Sequence, residues 1–143
     1  RPRAAVLCVA GTRNDLLLQL AAVLAAGSAA IWFEDDVATR LRDDLPSALR
    51  QCITFGTVAD AAFDAALVAA DDEGVRRLSE RLALRDGPIV GLQAVRPGAG
   101  MDNDGGGAAT GAANYAIDRL QVERSVSINT AAAGGNASLM TIG

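Results

Sequence analysis

Residues 4–26 read AAVLCVAGTRNDLLLQLAAVLAA, and the order of events within them decides the fold. Ala4 to Val9 is a short continuous apolar run, the pattern of a strand buried on both faces. Ala10-Gly11 closes it. Leu16, Leu17, Leu20, Val23 and Leu24 then recur at helical spacing and give one apolar face from about Asn14 to Ala26. Thr12 or Asn14 can cap that helix, Asp15 favours its positive end, and Gly27 stops it. A buried strand feeding an amphipathic helix is the first half of a parallel βαβ unit.

The same alternation continues. Ala29 to Phe33 reads as a second strand, followed by Glu34, Asp35 and Asp36. Val37, Leu41 and Leu45 lie four apart on a short helix ending at Pro46. Cys52 to Phe55 is a third strand-like run, and Ala65 to Ala70 a fourth despite its alanines, because Asp71-Asp72 then opens a further helix. There Val75, Leu78 and Leu82 make the apolar side, with Arg76, Arg77, Arg81 and Arg85 on the wetter face among Glu73 and Glu80. Asp86-Gly87-Pro88 ends this helix, and Ile89 to Val95 is the fifth strand. The expected fold is α/β: a Rossmann-like, doubly wound, mostly parallel sheet over residues 1–96. Its expected buried set includes Val6, Leu20, Val23, Leu67, Leu78, Ile89 and Val90. Residues 97–113 carry Pro97 and glycines at 98, 100, 105, 106, 107 and 111, and read as a flexible loop. Residues 114–143 hold an amphipathic stretch, Tyr115 to Val122, a strand-like alternation, Ser125 to Asn129, and a small-residue tail.

Composition narrows the chemistry. Of 143 residues 30 are alanine and 15 glycine, so the hydrophobic half of the chain supplies one thin core and not two. All 13 basic residues are arginine and there is no histidine. Without imidazole there is no Ser–His–Asp or Cys–His nucleophile and no His-ligated zinc. Without lysine there is no Walker loop or Schiff base. A net charge of −4 argues against a nucleic-acid surface. No apolar run reaches membrane-spanning length, so no transmembrane segment is expected. Arg1-Pro2-Arg3-Ala4 carries no signal-peptide pattern, and the chain reads as part of something longer. Cys8 and Cys52 both lie inside strand-like runs and read as core residues of a protein from a reducing cytoplasm.

The turn where a dinucleotide fold places its glycines reads Gly11-Thr12-Arg13-Asn14-Asp15-Leu16. Arg13 and Leu16 stand where G-x-G-x-x-G has its second and third glycines, and Asp15 puts a negative charge where a phosphate would sit. Glu34 is placed for a ribose hydroxyl, which keeps an independent NAD-binding domain of an oxidoreductase as the alternative. The acids Glu34-Asp35-Asp36 and Asp71-Asp72 could suggest a phosphoacceptor receiver, but such a domain relies on a lysine that is absent. They are better read as opening the helices that follow. No catalytic, cofactor-binding or metal-binding residue is assigned within this chain.

The last stretch is too rich in small residues to form a core of its own. It reads as disordered or as written for another surface. Glu123 to Gly143, ERSVSINTAAAGGNASLMTIG, resembles the C-terminal signature of the long PutA proteins, the bifunctional proline dehydrogenase and L-glutamate-γ-semialdehyde dehydrogenase enzymes. Ala62-Phe63-Asp64-Ala65-Ala66-Leu67 and Arg85-Asp86-Gly87-Pro88-Ile89-Val90 resemble the domain that precedes that signature. The resemblance implies an aldehyde-dehydrogenase-superfamily-like fold without catalytic or cofactor residues. It implies packing on the aldehyde dehydrogenase module of the same parent chain, support of that module, and cover for the tunnel that carries the intermediate. FAD and NAD would belong to other modules of the parent, a cytoplasmic enzyme. Attachment to the inner membrane and homo-oligomerisation of the parent stay open. The tail's docking residues would be Ser127, Asn129, Thr130, Gly134, Gly135, Asn136 and Ser138. Asn129 and Asn136 can each donate to and accept from a partner backbone, and Gly134-Gly135 permits a turn or close approach.

Overall fold

The computed structural model describes residues 4–98 and 115–121. Five strands, β1 (Ala5–Ala10), β2 (Ala29–Trp32), β3 (Ile53–Phe55), β4 (Ala65–Ala69) and β5 (Gly91–Val95), form one sheet in the order β3-β2-β1-β4-β5. Every pairing is parallel, as the strand–helix alternation requires. The helices are α1 (Arg13–Ala25), α2 (Asp36–Asp44), α3 (Ser47–Arg50) and α4 (Asp72–Ala83), and a 3₁₀ turn spans Ile117–Leu120.

Side chains alternate across the pleat, so the sheet carries a core on each face. On one face Val6, Cys8, Ala30, Trp32, Ile53, Ala65 and Leu67 meet Leu16, Leu20 and Val23 of α1, Leu41 of α2, and Tyr115 and Leu120. On the other Leu7, Ile31, Ala66 and Val68 meet Leu78 of α4 together with Val58 and Phe63. β4 lies between β1 and β5, and all five of its residues, three of them alanine, are buried.

The helix ends are set locally. Thr12 caps α1 by accepting from the Asp15 amide at 3.2 Å, Asp35 caps α2 through Ala38 at 2.8 Å, and Asp71 caps α4 through Gly74 at 2.8 Å. The acids after β2 and β4 therefore open helices, as expected. Gly27, at φ 76°, ends α1 with Gly27 N–H donating to Leu24 O and Ser28 N–H to Val23 O, a left-handed stop that a side chain would strain.

Four expectations need correction. Pairing of β5 begins at Gly91, opposite Ala65, so Ile89 precedes the sheet and is 98% exposed, while Val90 is half-buried. The other expected core residues, Val6, Leu20, Val23, Leu67 and Leu78, are buried. Cys52 sits just before β3 and is half-buried, whereas Cys8 is core. Pro46 does more than end a helix: it is the N-cap of the short helix α3. Arg85 is not on a solvated face. Its guanidinium lies 4.3 Å from the Phe63 ring centroid and donates to Phe63 O and Ala61 O. Apart from Pro97 and Gly98, the glycine-rich stretch 97–113 lies outside the described residues, as does the strand-like run 125–129.

Candidate functional site

The sheet order reverses between β1 and β4: the chain moves outward to β2 and β3, then returns to β4 and moves the other way. Open α/β sheets bind their ligands at such a switch point, beyond the carboxyl ends of the strands. Here that place is bounded by Gly11-Thr12 after β1 and Ala70-Asp71 after β4.

The chain's own groups occupy it. Asp15, in the first turn of α1, is only 2% exposed. Its carboxylate accepts the Gly98 amide at 3.0 and 3.3 Å and the Thr12 hydroxyl at 2.8 Å. Gly98 has φ +74°, a left-handed turn that brings the strand exit of β5 back over α1. The positive end of α1 thus has its negative partner already, built into the helix.

One helical turn further, on the same side of α1, Gln19 is fully buried. Its amide nitrogen donates to Val9 O at 3.0 Å and to the Tyr115 hydroxyl at 2.9 Å. Burial pushes the Tyr115 phenol up to about 12 against the opposing hydrogen bond from Gln19, and the charges of Cys8 and Asp15 add to the rise. Beside them Gln93, in the middle of β5, holds Ala116 by two bonds: its Nε2 donates to Ala116 O at 3.1 Å and its Oε1 accepts from Ala116 N at 2.7 Å. Asp15, Gln19 and Gln93 form a polar clasp across the switch point, closed by Gly98, Tyr115 and Ala116.

A dinucleotide fits this place poorly. Arg13, at the second-glycine position of the fingerprint, points outward and pairs with Asp44 at 2.8 Å. Leu16, at the third, is 2% exposed and occupies the helix–sheet contact a glycine would leave open. Gly11 has nothing within 4 Å of where a Cβ would stand, so no other described part of the chain packs closely against it. Glu34 lies exposed beyond β2. Cys8 is no nucleophile candidate either, since burial holds its thiol well above its usual range. Among the described residues no three His, Cys, Asp or Glu side chains gather to hold a metal, and no helix is long and apolar enough to cross a membrane. A separate groove of 440 Å³ lies between the end of α4 and the entry to β5, lined by Leu82, Arg85, Pro88, Ile89, Val90 and Leu92 among others.

The docking residues expected from the tail, Ser127, Asn129, Thr130, Gly134, Gly135, Asn136 and Ser138, all lie outside the described residues. The clasp was not anticipated from the sequence. Its one visible signal is Gln19, a glutamine set among Leu16, Leu20 and Val23 on the buried side of α1.

Comparison with known proteins gives the chain its relatives. It is 44% identical over 145 residues to the bifunctional protein PutA of Escherichia coli (strain K12) and 43% identical over 145 residues to that of Salmonella typhimurium. To the bifunctional protein PutA of Rhizobium meliloti it is 39% identical over 147 residues. Each of these alignments takes in 99% of this chain and 10 or 11% of the relative. The chain spans about a tenth of the length of the curated relatives it matches. No protein-family model matches it.

Proposed function

We propose that this chain, similar to the PutA proteins over about a tenth of their length, is a non-catalytic C-terminal domain of such an enzyme, one that turns proline into glutamate. In this reading the parent oxidises proline with FAD in one module and L-glutamate-γ-semialdehyde with NAD in another. The domain packs on the aldehyde dehydrogenase module, supports its activity and covers the tunnel between the two sites. Its tail, through Ser127, Asn129, Thr130, Gly134, Gly135, Asn136 and Ser138, makes the contact. The parent works in the cytoplasm.

One observation carries the proposal that the domain acts without chemistry of its own. The position where a Rossmann-like sheet takes a phosphate is filled by Asp15, and that carboxylate is satisfied by Gly98 and Thr12. A dinucleotide would have to displace a buried charge-assisted hydrogen bond and then face the carboxylate itself. A sheet of this kind with its ligand place filled is a scaffold, and the long partnering tail gives the scaffold a use.

Deleting Ser127 to Gly143 from the parent enzyme tests the reading. Proline oxidation, followed by dye reduction, should stay near wild type. NADH production from added semialdehyde should fall, and NADH production from proline should show a lag as the intermediate escapes. Unchanged rates from both substrates, without a lag, would reject the docking role.

A further inference from the structure

We propose that Gln19, Gln93 and Tyr115 are positioning residues that fix where the tail leaves the domain, and that the aldehyde dehydrogenase module depends on them through the tail. This rests on the function proposed above and names the residues that deliver it.

Residues 115–121 have little regular structure to hold them. They contain one 3₁₀ turn of four residues, Ile117–Leu120, with no side-chain cap. A single turn of this kind has no stability of its own. Two side chains, Tyr115 and Leu120, enter the core. Apolar contact alone fixes depth but not direction, because it is non-directional. Direction comes from hydrogen bonds; Gln121 makes a β-bridge at the end of the segment, and at its start two side chains from two different elements bind it. Gln93 pairs with both polar groups of the Ala116 backbone, as a neighbouring strand residue would. Gln19 ties the Tyr115 hydroxyl to the carboxyl end of β1. With both in place the segment has one orientation against α1 and β5 up to Gln121.

Gln19 is poorly explained by stability. Its Oε1 is buried with no hydrogen-bond partner among the described residues, and leaving a buried amide oxygen unpaired is unfavourable. A leucine would fill the same place between Leu16 and Val23 without that unpaired oxygen, at the cost of the bonds that Gln19 gives Val9 O and the Tyr115 hydroxyl. What leucine could not do is join β1 to Tyr115. The clasp is therefore a device for geometry. Asp15 and Gly98 hold the other side of the same place, where β5 hands the chain on toward residue 99.

The experiment uses the full-length parent enzyme and crosses clasp variants with removal of the tail. Gln19→Leu with Gln93→Met forms the strong variant, and Tyr115→Phe, which removes one hydroxyl and keeps the ring, forms the mild one. Each is measured with the tail intact and with Ser127 to Gly143 deleted, for semialdehyde oxidation (kcat and KM separately) and for proline oxidation. With the tail intact, the strong variant, which removes four hydrogen bonds, should lower kcat/KM for semialdehyde at least roughly tenfold, and the mild variant, which removes one, roughly threefold. Proline oxidation should hold, and limited proteolysis of each full-length variant should leave this domain as resistant as in wild type, which reports that it has folded. In the tail-deleted background neither variant should cost anything further, because the same contact has already been lost. A harmful tail deletion beside a harmless clasp variant would overturn the positioning role and leave the docking function standing. Losses that multiply between variant and deletion would overturn it too, since the clasp would then act without the tail. A harmless tail deletion would remove the docking function and this inference with it.

Discussion

Replacing Asp15 with alanine asks whether the filled switch point is an asset of the fold or a relic of an active site. The carboxylate is nearly inaccessible and holds the Gly98 amide and the Thr12 hydroxyl. Removing it loses the charge-assisted hydrogen bonds from Gly98 and Thr12, about 2 kcal/mol together in a part-buried and water-accessible setting. It also loses a negative charge in the first turn of α1, about 0.5–1 kcal/mol. Thr12 is exposed and Gly98 half-buried, so water can reach the donors left behind, and the total should be about 2–3 kcal/mol. Asp15→Asn keeps an acceptor for Gly98 and gives up the charge, so about 1 kcal/mol is expected. Urea unfolding of the chain, followed by circular dichroism, measures both, and an unchanged slope would show that the native and unfolded states keep their exposed areas. The order wild type, Asn, Ala in decreasing stability is the predicted result. An acid kept for chemistry at the expense of the fold behaves the other way, and its removal stabilises. A gain in stability on Asp15→Ala, or no change within about 0.5 kcal/mol, would refute the reasoning.

Other outcomes follow from the same geometry. A Cβ at Gly56 would stand 2.9 Å from the Ala61 Cβ and 3.2 Å from Ile31 Cγ2, and the Ala61 carbonyl is held by Arg85. Gly56→Ala should therefore cost about 1–3 kcal/mol in the same urea assay, whereas Gly11→Ala, with open space, should be neutral or stabilising by up to about 1 kcal/mol. The Tyr115 phenol, pushed up to about 12, lies above its unfolded value of about 10. Its contribution to stability is complete below about pH 10 and is lost as pH rises toward 12; Tyr115 is the chain's only tyrosine, so an ultraviolet titration reads it directly, and a phenolate appearing near pH 10 in the folded chain would contradict the buried site. Arg85→Ala should cost about 1–2 kcal/mol through the lost Phe63 stack and carbonyl bonds, while Arg77→Ala, which gives up only an exposed pair with Glu73, should stay within about 0.5 kcal/mol by thermal or urea unfolding.

Much of the fold is legible because each strand meets its helix within a few residues. The run through Gly11 to Leu16 and the acids at 35 and 71 are local signals, and the structure uses them locally. Ile89 misleads for the opposite reason. Ile-Val ahead of Gly91 has strong strand character, but a strand lasts only as long as its partner, and β4 begins at Ala65 opposite Gly91. Arg85 reads as a wet residue because its ring partner and carbonyls come from residues 61–63, across a loop from α4. The switch point is legible in what it has lost, since Arg13, Asp15 and Leu16 break the glycine pattern in plain sight. What fills it is not, because Gln19 and Tyr115 are 96 residues apart and Asp15 and Gly98 are 83 apart. No periodicity reaches that far.

The account turns on the switch point being closed to a dinucleotide, and one titration addresses it directly. NADH added to the 143-residue chain, with its fluorescence and anisotropy followed, should show no saturable binding up to about 1 mM. Gly98 and Asp15 amide resonances should keep their shifts throughout. Saturable binding in the micromolar range, with those resonances moving, would mean that the clasp opens for a cofactor and that the chain is a nucleotide-binding domain after all.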